Sequence, residues 1–272
     1  MTRRRPHTGF TLTEILVVIG IIGVLIAILL PVMSKVRETS KRTQCMSNLR
    51  QIGQALFSYA TDNRGGLPRI QWRKEPGQDP PFVDPLDNDP SPFSVNCFNS
   101  NSAALFLLVR EGRLTPNVFI CPSTDDQPDP LGGQPAVQRS NFTNYGDAMN
   151  GVRTRSYTYA RLYPSTAPGA AGLTNLLQTL KPDFALAADH GIPICANQND
   201  ERANWHSAGL AGNSLNHNSA GQNVLYADGR VTWQTTNRCG VGGDNIYKGV
   251  GGTTCSHDLA NSATDSVLEE RN

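Results

Sequence analysis

The chain has 272 residues, a formal net charge of +1 at pH 7 and 17% charged residues. Such a balanced charge does not favour a nucleic-acid-binding surface, and no nucleic-acid partner is expected. Gly and Pro number 25 and 18, which predicts a loop-rich domain. The length suffices for one sizeable domain with its own core.

The first predicted element is an apolar helix near the N-terminus. No charged side chain occurs from Ile15 to Ser34, and the segment is apolar on every face. A helix of about 20 residues spans about 30 Å, the thickness of a bilayer core. It must therefore be buried in lipid or in protein. One acid, Glu14, stands at its start, and the arginines at positions 3–5 lie upstream.

The six residues before the apolar run read GFTLTE, from Gly9 to Glu14. This motif, with its basic leader and apolar helix, resembles the N-terminal signal of type IV prepilins and type II secretion pseudopilins. The resemblance implies that a prepilin peptidase cuts between Gly9 and Phe10 and that Phe10 is then N-methylated. It also implies that Glu14 pairs with the free amine of a neighbouring subunit.

Other interpretations of this N-terminus stay open. A secretory signal peptide also has a basic and an apolar region, although its apolar region is normally shorter and lacks a leading acid. A plain membrane anchor is another interpretation of this segment. Glu14 would also be explained if its side chain reached the membrane interface without a partner. Basic residues flank the helix on both sides, so charge does not orient it; the resemblance implies a cytoplasmic leader and an outward-facing head.

The helix is predicted to continue to about Asp62. Apolar residues recur at spacings of four, three, four and three, which is one face of an amphipathic helix. They are Cys45, Leu49, Ile52, Leu56 and Tyr59. The predicted organisation is a cleaved leader at 1–9, a transmembrane helix at 10–33, an amphipathic continuation at 34–63 and an extracytoplasmic head at 64–272.

The head is predicted to be α+β with an antiparallel sheet, packed on the long helix in a pilin-like fold. Its predicted elements are an irregular excursion at 70–101, a buried helix at 103–110, strands at 117–121, 155–163 and 184–188, and a short helix or turn at 173–180. Asp228-Gly229 lies between two alternating runs. This dipeptide predicts a hairpin with a type I′ turn, in which both turn residues need positive φ.

The hairpin region resembles the C-terminal signature of a set of prepilin-like proteins of planctomycete-type bacteria. That signature is a His, nine residues, then Asp-Gly. Here ten residues separate His217 from Asp228-Gly229, so the spacing departs by one. The resemblance implies an assembly class more than a defined activity.

Six cysteines are present, an even count that is compatible with disulfides in an exported chain. Cys239 and Cys255 bracket a Gly-rich segment and are predicted to pair. A Cys97–Cys121 pair is the second expectation, and Cys45 is expected to be a buried thiol in the long helix.

Candidate ligands for a metal are spread through the head. Asp189-His190, His206 and the pair His217 and Asp228 would form a metal site if they converge. A calcium site at Asp228, Asp244 and nearby carbonyls is a separate hypothesis, because hard oxygen ligands suit that ion. The simplest interpretation is that His217 and Asp228 only stabilise the hairpin, with no cofactor.

The sequence thus predicts a structural subunit of a type IV pilus-like or type II secretion pseudopilus-like filament. Its expected partners are the prepilin peptidase, other subunits and the cytoplasmic membrane, which it spans once. No nucleophile motif or phosphate-binding loop indicates an enzyme. Two alternatives remain: a membrane-anchored extracytoplasmic binding protein that recognises partners through loops such as 70–101, and a metal-dependent enzyme at His190, His217 and Asp228.

Overall fold

The computed structural model describes residues 12–69, 101–131, 135–138, 142, 154–160, 162, 176–190, 212–247 and 268. The predicted excursion, apart from its last residue, and residues Cys97, His206 and Cys255 lie outside this described part. The chain divides into two compact units, Met1–Ser40 and Lys41–Asn272.

The first helix, α1, spans Leu12–Asp62, as predicted from the sequence. From Lys41 onward it belongs to the second unit. There the predicted apolar face is buried, because it packs into the core of that unit. Four members of this face are fully buried and Tyr59 is partly buried; the four are Cys45, Leu49, Ile52 and Leu56.

The end of α1 follows from the residues after Asp62. Arg64 and Gly65 have positive φ, 55° and 85°, and the Gly65 N–H donates a hydrogen bond of 2.7 Å to the Ala60 carbonyl. Such left-handed residues satisfy the last carbonyls of a helix. Arg113 donates to the Asp62 carboxylate at 2.7 Å, from the segment that follows the second helix.

The second helix, α2, spans Asn101–Arg110 and confirms the predicted buried helix. The strand predicted at 117–121 is wrong, since Pro116–Phe119 forms one 3₁₀ turn instead. Pro116 favours this turn, because its ring fixes φ near the helical value and it has no N–H to leave unbonded. The turn leads directly into Cys121.

Four strands form one antiparallel sheet in the order β1-β2-β3-β4. They are β1 at Tyr157–Tyr159, β2 at Ala185–Asp189, β3 at Gln222–Tyr226 and β4 at Val231–Gln234. The predicted strands at 155–163 and 184–188 are thereby confirmed; the first is shorter than predicted and the second is shifted by one residue. Every residue of β1, β2 and β3 is buried, so both faces of these three strands are covered. The predicted short helix or turn at 173–180 is a 3₁₀ turn at Leu177–Thr179.

Gly53 marks a close approach between α1 and β3. A Cβ added at Gly53 would lie 2.8 Å from Cδ1 of Leu225. A glycine at this position therefore lets the helix come close to the strand that carries the hairpin.

The hairpin between β3 and β4 is confirmed, but its predicted type I′ turn is wrong. Among the described residues of this turn, Gly229 has positive φ, 89°, and Asp228 does not. The Gly229 N–H donates to the Tyr226 carbonyl at 2.9 Å, and the Tyr226 N–H to the Arg230 carbonyl at 3.0 Å. This is a three-residue loop with glycine in the left-handed position. The Asp228 carboxylate stabilises it by accepting from the Arg230 N–H.

The structure corrects the predictions made for Cys45 and Cys121. Cys45 pairs with Cys121, with their Cα atoms 5.4 Å apart, because the buried face of α1 and the turn before Cys121 bring the two side chains together. In this structure Cys121 is therefore not paired with Cys97, and Cys45 is not a free thiol. Cys239 is a free thiol among the described residues. Cys255 lies outside them, so the Cys239–Cys255 pair stays a prediction.

Replacing Gly229 by Ala tests the loop geometry, with Gly112→Ala as the matched control. Both glycines have positive φ, but a Cβ at Gly229 would lie 2.8 Å from the Phe57 ring, whereas one at Gly112 meets nothing within 4 Å. We expect Gly112→Ala to lower the free energy of unfolding by about 1 kcal/mol, and Gly229→Ala by at least about 1 kcal/mol more. Urea unfolding of the full chain in detergent measures both. Equal losses would contradict the Phe57 contact.

Candidate functional site

The N-terminal motif lies at the edge of the described residues. Gly9 and Phe10 fall outside them, and α1 begins at Leu12 with Glu14 in its first turn. A carboxylate there interacts favourably with the positive end of the helix dipole. The structure therefore gives Glu14 a place on the helix but does not test the cleavage position.

The first part of α1 is an apolar surface that is exposed among the described residues. Leu12–Leu30 is long and apolar enough to cross a membrane, and none of its residues is buried. An apolar patch of this extent on a folded protein marks contact with lipid or with another protein. The exposure is all round the helix, so whatever covers it must surround it.

A second candidate site lies inside the second unit. It is a group of four buried side chains, here called the buried cluster, which consists of Cys45, Cys121, Asp189 and His217. One potential ligand atom from each lies within 4.8 Å of the others. The members come from α1, from the segment after the 3₁₀ turn, from the end of β2 and from the approach to β3.

His217 is positioned by another 3₁₀ turn, at Leu215–His217. The Ser214 hydroxyl caps this turn by accepting from the Asn216 N–H at 3.1 Å and donates to the His190 carbonyl at 2.6 Å. The His217 ring packs edge-on against Trp233, with ring centroids 5.3 Å apart. Its Nε2 lies 3.6 Å from Sγ of Cys121 and 3.4 Å from Oδ2 of Asp189.

Asp189 is held by backbone and amide donors. Its Oδ2 accepts from the Asn223 N–H at 2.6 Å and from the Asn223 Nδ2 at 3.1 Å. Its carbonyl accepts from the Tyr247 hydroxyl at 2.6 Å. Among the described residues, no hydrogen bond reaches Oδ1, although the whole side chain is buried.

Two tyrosines next to the cluster remain neutral at ordinary pH. Burial, followed by the nearby Asp189 carboxylate, raises the pKa of both Tyr157 and Tyr247 well above the usual value. Tyr157 accepts from the Asn48 side chain at 3.2 Å. These neutral hydroxyls add no charge next to the cluster.

His217 and Asp228, the two parts of the predicted C-terminal signature, lie in different parts of the structure. His217 lies before β3 and Asp228 after it, at opposite ends of a strand that covers about 17 Å. Asp228 accepts from the Arg230 guanidinium at 2.6 Å, and Arg230 also donates to Asp183 at 2.5 Å. The additional residue between His217 and Asp228 therefore lies in the segment that connects them, and the two side chains do not contact each other.

The predicted convergence of ligands is correct for Asp189 and His217 and incorrect for His190 and Asp228. His190 and Asp228 do not belong to the group of potential ligands that the described residues bring together, and His206 lies outside the described part. Asp244 is also absent from that group. Calcium binding at Asp228 and Asp244 stays a prediction. The cysteines, which sequence reasoning assigned elsewhere, complete the cluster.

Comparison with known proteins addresses the N-terminus. Residues 4–30 match the model of the prokaryotic N-terminal methylation motif. The predicted signal is a prepilin-type motif. Over 61 residues the chain is 38% identical to the type II secretion system core protein G of Pseudomonas aeruginosa. That match covers 22% of this chain and 43% of the relative, so the chain spans less than half of the relative it resembles. No solved structure matches the chain.

These findings confirm the resemblance to prepilins and pseudopilins. The methylation motif, the pseudopilin relative and the α+β fold with its long apolar helix agree with one another. The motif model covers residues 4–30, and the C-terminal signature and the roles of Gly9, Phe10 and Glu14 stay predictions.

Alkylation of Cys239 tests the free-thiol assignment. Burial raises the pKa of the Cys239 thiol to about 11, against an ordinary 9.0. Since the thiolate is the reactive form, iodoacetamide should modify Cys239 about a hundredfold more slowly at pH 8 than in the denatured chain. The rate should rise about tenfold per pH unit up to pH 10. Peptide mass spectrometry measures this, and a Cys239 that reacts only after reduction would instead support a disulfide.

Proposed function

We propose that this chain is a structural subunit of a type IV pilus-like or type II secretion pseudopilus-like filament. The observation that supports it best is the uncovered apolar helix Leu12–Leu30, which overlaps a prepilin-type methylation motif. Such a helix needs lipid before assembly and neighbouring helices afterwards. Because it is apolar on all faces, one segment suits both surroundings.

Processing makes the change from membrane to filament specific. A prepilin peptidase cuts between Gly9 and Phe10, and Phe10 is N-methylated. The cut creates a free amine at the edge of the membrane. Glu14 of a neighbouring subunit then pairs with this amine, which offsets the cost of a carboxylate near hydrocarbon.

The chain is anchored in the cytoplasmic membrane by a single span, with the head on the extracytoplasmic side. The Cys45–Cys121 disulfide supports this orientation, since disulfides persist in oxidising compartments and are rare in the cytosol. The role is structural and not enzymatic, and the partners are the prepilin peptidase and other subunits of the same kind.

Glu14→Gln tests the assembly step, with Glu38→Gln as the matched control on the same helix. Removing one partner of a low-dielectric ion pair costs about 3–5 kcal/mol, so we expect at least tenfold less chain in the polymer fraction. Sedimentation after mild detergent extraction from the native host measures that fraction. The control variant should sediment as the wild type does.

Two results would contradict the filament proposal. One is Glu14→Gln assembling as well as wild type, which would remove the role of the carboxylate. The other is a wild-type chain that never sediments as a polymer, which would favour a membrane-anchored binding protein that uses the prepilin signal only for export.

A further inference from the structure

The buried cluster has the composition of a metal site. Whether it binds a metal does not depend on the filament proposal. Thiolate sulfur, imidazole nitrogen and carboxylate oxygen are the three ligand types that zinc takes in proteins. The soft sulfur ligands disfavour calcium and magnesium. Four protein ligands, all buried, correspond to a closed structural site, because a catalytic zinc keeps a position open for water.

We propose that Cys45, Cys121, Asp189 and His217 bind one Zn²⁺ when the two cysteines are thiols, and that the Cys45–Cys121 disulfide is the alternative, metal-free state of the same site. The disulfide state is the one in the structure. The cluster then serves as a cross-link of the head in either redox state, by metal or by covalent bond.

The distances around His217 fit this assignment. In a tetrahedral site with Zn–N of about 2.05 Å, Zn–S of about 2.3 Å and Zn–O of about 2.1 Å, nitrogen and sulfur lie about 3.6 Å apart and nitrogen and oxygen about 3.4 Å apart. The observed separations from Nε2 are 3.6 Å to Sγ of Cys121 and 3.4 Å to Oδ2 of Asp189. The second is long for an N–H···O hydrogen bond, whose usual length is about 2.9–3.0 Å.

The surroundings of Asp189 also fit a ligand carboxylate. Ligating carboxylates are themselves held by hydrogen bonds, and both donors of Asn223 hold this one. Among the described residues Oδ1 has no hydrogen-bond partner, which is costly for a fully buried carboxylate oxygen. A cation in the cluster compensates for this charge.

The two states differ by a balanced reaction. Reduction of the disulfide takes two electrons and two protons and yields two thiols; in the test a phosphine supplies the electrons and becomes a phosphine oxide with oxygen from water. Zn²⁺ then displaces both thiol protons. The sulfurs separate to about 3.8 Å in a tetrahedral site, through rotation of the two side chains.

The test is metal loading of the full chain in detergent. The chain is reduced with a phosphine without oxygen, incubated with Zn²⁺ alone, passed through gel filtration and assayed for zinc per chain. We expect one zinc per chain in the reduced wild type and in Cys239→Ser, a cysteine control outside the cluster, and none at the cluster in the oxidised wild type. Cys121→Ser and His217→Gln should each lose this zinc.

Two further readouts keep the result interpretable. His217→Gln retains both cysteines, so it can form the disulfide and show by its oxidised melting temperature that the variant folds. Co²⁺ in place of Zn²⁺ should give a sulfur-to-metal charge-transfer absorption in wild type and Cys239→Ser, which Cys121→Ser loses. Reduced wild type that holds no more zinc than Cys121→Ser, or a zinc content unchanged in His217→Gln, would overturn the proposal.

Discussion

The apolar surface of the helix Leu12–Leu30, which is exposed on every side among the described residues, governs the behaviour of this molecule. Leu12–Leu30 has no buried residue. Water is a poor surrounding for such a surface, so the segment needs lipid or other apolar helices. The proposed membrane anchor and the proposed filament core both follow from this single requirement, and the methylation motif overlaps the same helix.

The second half of the same helix has different surroundings. From Lys41 it belongs to the second compact unit, where its apolar face enters the core and Gly53 lets β3 come close. The Cys45–Cys121 bond joins residues 76 positions apart within this unit. In the chain-entropy account, a cross-link closing a loop of this length stabilises the fold by about 4 kcal/mol. For a loop-rich domain with short strands, that is a large share of the total stability.

Sequence periodicity predicted the elements whose burial is one-sided or complete. The four-three spacing from Cys45 to Tyr59 located the packed face of α1, and Asp228-Gly229 located the hairpin. The turn type was wrong because a glycine after an aspartate also suits a three-residue loop, in which only the glycine needs positive φ. The strand at 117–121 was wrong because Pro116 starts a 3₁₀ turn that a short apolar run does not reveal.

The buried cluster was accessible to sequence reasoning only in part. Asp189 and His217 were predicted as candidates, since carboxylates and imidazoles are metal ligands that could converge in the head. The cysteines were assigned by closeness along the chain, whereas the true partner of Cys121 lies 76 residues away. Long-range pairing depends on how α1 packs beside the sheet, and six cysteines allow about 15 pairings that spacing alone does not distinguish.

The mass of the N-terminal peptide of the chain from native membranes is the most direct test of prepilin processing. Cleavage between Gly9 and Phe10 predicts a peptide that begins at Phe10 and carries one additional methyl group. A peptide that begins at Met1 or Thr2 would contradict it, since Glu14 would then have no new amine to meet. A start after Ala27 or later would also contradict it, because the apolar helix would have been removed with an ordinary signal peptide.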